Sequence, residues 1–72
     1  MLRNRRLETD EDFQEAMERG TGIRVFQDDY VIQSGGVITR FTDSFVVIQS
    51  DVSDLQYYDR SSCEFFEARR RS

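Results

Sequence analysis

The sequence predicts a mainly β fold in a single domain: an N-terminal α-helix followed by a five-stranded, bent antiparallel barrel. Three observations carry this prediction. Apolar residues recur at helical spacing only near the start, at Phe13, Ala16 and Met17. From Ile23 onward the chain breaks into short runs of β-branched and aromatic residues. Polar turns of three to five residues separate those runs, as in a meander of hairpins.

The helix start is written in Thr9-Asp10-Glu11-Asp12. Thr9 can cap, Asp12 stands three residues on where a capping-box acid belongs, and the acids complement the positive end of the helix dipole. Gly20 can stop the helix in the left-handed conformation. A helix of about ten residues is marginal alone, so its Phe13/Met17 stripe must pack on something else.

The strand runs are Ile23 to Phe26, Tyr30 to Gln33, Val37 to Phe41, Phe45 to Gln49, Leu55 to Tyr58 and Cys63 to Ala68. Gly35-Gly36 supplies a sharp bend between the second and third. Five or six antiparallel strands follow, and a sheet of this size protects its edges by closing on itself or by pairing with another subunit. The domain spans residues 1–72, with residues 1–8 and 69–72 expected as mobile tails.

At 72 residues the chain buries only roughly 60% of the surface it would expose unfolded. Its 38% hydrophobic residues and nine aromatics still place it outside the disordered class. It lacks an apolar run of the roughly 18 residues that cross a bilayer and a signal-like opening, so the cytoplasm is the expected compartment, with no membrane contact. Cys63, the one cysteine, has no disulfide partner and builds no zinc cage. All ten basic residues are arginine. Six of them, Arg3, Arg5, Arg6, Arg69, Arg70 and Arg71, lie at the ends and leave a body from Leu7 to Ala68 with a charge of -10. Such a body repels phosphate, so nucleic acid would have to be held by the tails or by a local pocket.

Catalytic chemistry is poorly supplied. There is no histidine to act as a general base or to activate Cys63, and no serine in a nucleophile-elbow pattern, so no catalytic residue is assigned and an enzyme is not expected. Asp28-Asp29 and Asp51/Asp54/Asp59 lack the spacing of a calcium loop and read as solvated turn acids, so no metal ligand is assigned. No glycine-rich loop leads from a strand into a helix, and no cofactor is implied. The aromatics are more informative. Alternation along a strand forbids both members of Tyr57-Tyr58, or of Phe65-Phe66, from pointing inward. One of each pair must face solvent, a ligand or another subunit, which makes Tyr57, Tyr58, Phe65 and Phe66 candidate subunit-interface residues.

Several segments resemble the Sm-like family, in its bacterial Hfq branch. Phe13-Gln14-Glu15-Ala16-Met17-Glu18-Arg19 is similar to that branch's helix, and Gly36-Val37-Ile38-Thr39-Arg40-Phe41 to its Gly-x-Ile-x-x-Phe. Phe45-Val46-Val47-Ile48 resembles its Phe-Val-Ile-Leu, and Tyr58-Asp59-Arg60 falls where its Tyr-Lys-His signature lies. The resemblance covers about Phe13 to Arg69. It implies an Sm-like barrel, related to the SH3-like one, and a homo-oligomeric ring, hexameric in Hfq, that binds single-stranded RNA as a regulator or chaperone. Carried over, Phe45 stacks on a base, Tyr58 pairs strands, Arg60 replaces the pore histidine and Arg19 represents the rim. Asp59 stands in place of the signature lysine and Glu18 in place of the first rim arginine, and both oppose phosphate. Two other functions follow from the acidic body: a protein-interaction ring without RNA, and an acidic inhibitor imitating nucleic acid toward a basic protein partner.

Overall fold

The computed structural model describes residues 5–68; the arginines at 3 and 69–71 lie outside the described residues. The chain runs β1 (Arg6–Leu7), α1 (Asp10–Arg19), β2 (Ile23–Gln27), β3 (Tyr30–Ser34), β4 (Val37–Phe41), β5 (Phe45–Asp51), β6 (Asp54–Asp59) and β7 (Glu64–Glu67).

Helix α1 begins as its sequence dictates. The Asp12 amide donates to Thr9 Oγ1 at 3.1 Å, and Asp12 Oδ2 accepts from the Thr9 amide at 3.2 Å and the Glu8 amide at 2.9 Å. Those Glu8 and Thr9 amides, aided by Arg5, hold the Asp12 carboxyl below its ordinary pKa. Gly20 ends the helix at φ 65°, where its missing Cβ costs nothing.

The strands form two antiparallel sheets, in the orders β1-β7-β2-β3 and β4-β5-β6. This corrects the expected five-stranded barrel, for two physical reasons. Gly35 and Gly36 adopt φ 95° and 101° and turn the run from Tyr30 to Phe41 through a corner, so that β3 pairs with β2 while β4 pairs with β5. Ile23 straps this corner, donating its amide to the Gly36 carbonyl at 2.9 Å and accepting the Gly35 amide at 3.0 Å. Among the described residues no backbone ladder closes the second sheet back onto the first. The second reason is β1. Residues 5–7, expected as part of a mobile tail, instead lie along β7, with Arg6 opposite Phe66 and Leu7 opposite Phe65. Leu7 is 2% exposed and belongs to the core.

The core lies between the sheets and under α1: Leu7, Phe13, Ala16, Ile23, Val25, Ile38, Val46, Ile48, Cys63 and Phe65. Phe13 is its centre, edge-on to Phe65 at 5.4 Å and tilted against Phe41 at 5.8 Å. Two arginines fasten the helix from outside. Arg5 donates to Glu15 at 2.8 Å and Asp12 at 2.6 Å, fixing β1 to α1. Arg60 donates to Asp10 Oδ1 at 2.7 Å and to the Thr42 carbonyl at 2.6 Å, and its guanidinium lies 4.5 Å from the Phe13 ring centre. Among the described residues no helix is long and apolar enough to cross a membrane.

Candidate functional site

Alternation along β5 builds an outward surface that gathers several apolar side chains. Val46 and Ile48 point into the core, so Phe45, Val47 and Gln49 face outward. The register places Asp59, Tyr57 and Leu55 of β6 opposite those three, and Arg40 and Val37 of β4 opposite Val47 and Gln49. Phe45, Leu55, Tyr57, Val37 and Arg40 thus surround Val47 on the outward face. Val47 is only 3% exposed although it lies outside the core cluster, so its own neighbours shield it. Leu55 and Tyr57 remain 48% and 65% exposed. The Phe45 and Tyr57 rings meet at 5.5 Å and 54°, forming a small aromatic platform.

The β4–β5 turn sets the platform's position. Thr42 Oγ1 accepts the amides of Ser44 and Phe45 at 3.1 and 3.2 Å, and the Thr42 amide donates to the Phe45 carbonyl at 2.8 Å. The Arg60 amide donates to the Ser44 carbonyl at 2.8 Å, which locks the β6–β7 turn beside it. Asp59 borders the platform as a charge. The Ser61 hydroxyl and then the Ser61 amide donate to its Oδ1, at 2.7 and 2.8 Å, and hold its carboxyl below the ordinary range.

The other residues singled out from the sequence are dispersed. Tyr58 points inward between the sheets. Its hydroxyl donates to Gln33 Oε1 at 2.7 Å, Gln33 Nε2 donates to the Gly35 carbonyl at 3.0 Å, and burial raises the phenol's pKa. It joins β6 to β3 by a side-chain link. Phe65, expected at a subunit interface, is instead a core residue, because the face of β7 that carries it looks toward Phe13. Phe66 faces outward on the first sheet, edge-on to Phe26 at 5.3 Å. Arg19 is exposed and pairs with Glu15 at 3.2 Å. It stands at the rim of an open groove of about 760 Å³ lined largely by the backbone at Gly20, Gly22, Gly35 and Gly36. Arg60 turns away from the Phe45/Tyr57 platform and is committed to Asp10, Thr42 and Phe13.

Sequence reasoning missed Val47, Leu55 and Arg40. Their signal was present, since Leu55 and Tyr57 are two apart on one strand and share a face. The cross-strand register that sets them beside Phe45 is tertiary information. Among the described residues no group of three or more His, Cys, Asp or Glu side chains is placed to hold a metal ion. Comparison with protein-family models, curated proteins and solved structures found no match to this chain.

Proposed function

We propose that the chain is a homo-oligomeric binding protein of Sm-like build that works through protein contacts, with the outward face of the second sheet as its working surface. The observation that carries this reading is the placement of exposed Leu55 and Tyr57 beside half-buried Phe45 on one face, with charged Asp59 at its border. An aromatic and aliphatic centre with a polar rim is the composition of an interface core. The inward commitment of Arg60 removes from this face the cation that the family resemblance assigns to an RNA site.

Single-stranded RNA is the second reading, favoured by the Phe45/Tyr57 platform and by Arg40, which is exposed beside it. A base stacked on such rings is worth about 1–3 kcal/mol. The experiment is native molar mass by light scattering, with and without a short U-rich and a short A-rich RNA, on the parent and on Phe45→Ala. A mass above the 8.5 kDa of one chain, unchanged by either RNA, supports the first reading. Binding of either RNA that is lost in Phe45→Ala puts the second reading first. A monomer without affinity for RNA overturns both.

A further inference from the structure

We infer that two copies of the chain join edge to edge through β6, antiparallel and in register about Gln56, which makes one six-stranded sheet across the pair. The inference rests on the oligomer reading above and specifies its geometry. Strand β6 pairs with β5 along one side only, and its other edge presents the unpaired N–H and C=O groups that invite a further strand. It is six residues long. The extra residue of the β5–β6 ladder, Ser50, lies on β5, so the alternation of β6 is uninterrupted.

Strands β7 and β3 of the first sheet are less suited. Strand β7 has β2 on one side and β1 on the other, and the Glu67 amide donates to the Arg5 carbonyl at 2.7 Å. With Leu7 in the core and Arg5 tied to Asp12 and Glu15, β1 is not a loose cover. A head-to-tail junction of β6 with the next copy's β7 therefore meets an occupied edge. Strand β3 is open, but Ile32 is an extra residue between the pairs Val25–Gln33 and Phe26–Val31. A bulge of this kind twists an edge away from further pairing.

Self-pairing also fixes the register. Directly opposed residues in an antiparallel pair share a face, so Leu55, Tyr57 and Asp59 meet only one another, and Asp54, Gln56 and Tyr58 likewise. With Gln56 on the two-fold axis, Leu55 of each copy faces Tyr57 of the other, Gln56 faces Gln56, and Asp54 faces Tyr58. No acid then faces an acid. Centring on Tyr57 would set Leu55 against Asp59, and centring on Leu55 would set Tyr57 against Ser53, beyond the end of the strand. Only the Gln56 register joins the two Phe45–Tyr57–Leu55 strips into one apolar band.

The test uses Gln56→Glu and Gln56→Lys, each of which sets a charge opposite its own copy. Gln56 is exposed, so both variants keep the fold, which circular dichroism checks. The parent should have twice the 8.5 kDa mass of one chain. Each variant alone should associate roughly fivefold more weakly, since like charges directly opposed destabilise a pair by up to about 1 kcal/mol. An equal mixture of the two should regain the dimer as a mixed pair. A dimer indifferent to both charges overturns β6 pairing. A ring of about six copies overturns it while leaving the oligomer reading intact, and a monomer overturns both.

Discussion

The two sheets are built from the same alternation yet turn different faces to solvent. The first sheet is covered along β7, and its open edge, β3, is bulged at Ile32 and exposes Tyr30, Val31 and Ile32. Helix α1 and β1 are tied to it, both edges of β7 are paired, and its outward aromatics Phe26 and Phe66 stand among Arg6, Arg24 and Glu64. The second sheet keeps a free edge at β6 and an outward face of Phe45, Val47, Leu55 and Tyr57. The contrast teaches that what holds the fold and what the fold leaves open lie on different faces. Both sheets and the helix share the core, through Ile38, Val46 and Ile48 as much as through Ile23, Val25 and Phe65, and the outward face of the second sheet stands apart from it.

The largest expected effect separates the two regions directly. Phe13→Ala removes a 2%-exposed ring that touches Phe41, Phe65 and Arg60, and should cost about 3–5 kcal/mol. Tyr57→Ala on the outward face should cost less than about 1 kcal/mol. Urea unfolding of both variants measures the difference, and equal losses would break the division.

A smaller effect sharpens the corner that keeps the sheets distinct. A Cβ at Gly36 would lie 2.8 Å from Ile48 Cγ2 and 3.1 Å from the Gln49 carbonyl oxygen, at a φ of 101°. Gly36→Ala should therefore cost about 2–4 kcal/mol, combining backbone strain with overpacking. Gly35→Ala meets nothing within 4 Å at φ 95° and should cost only the strain, about 1–2 kcal/mol. If thermal unfolding ranks the two the other way, the corner is not set by contact with β5.

Acid produces the smallest and most local effect. The Glu15 carboxyl is lowered by its hydrogen bond from Arg5, and then by Arg19, while Asp12 is lowered by the Glu8 and Thr9 amides. Groups with depressed folded values contribute stability above the ordinary carboxylate pKa of about 4, and that contribution is lost as pH falls through the folded values. Both carboxylates hold Arg5, so acid should loosen β1 first. Hydrogen exchange at Glu67, whose amide bonds the Arg5 carbonyl, should accelerate below about pH 4 relative to the amides between β4 and β5.

Much of this was legible in the residues. Thr9, Asp12 and Gly20 mark the helix because capping is local chemistry, satisfied within three or four residues. The strand runs match because each is a short stretch of β-branched and aromatic residues between polar turns, and the doubled aromatics correctly required one member of each pair to face outward. Strand β1 was not legible, since two residues among arginines carry no period. The direction of Arg60 was not legible either, because Asp10 and Thr42 lie 50 and 18 residues away.

The sequence by itself therefore determined the helix, its caps, the strand segments and the glycine corner, all of which follow from local backbone preference and side-chain period. Only the tertiary structure decided that the corner divides the strands into two sheets, that Tyr58 and Phe65 turn inward while Tyr57 and Phe66 turn outward, and that Phe45, Val47, Leu55 and Tyr57 share one face. Those outcomes depend on register and on which edges find partners. Such choices are settled by long-range packing, which no local pattern encodes.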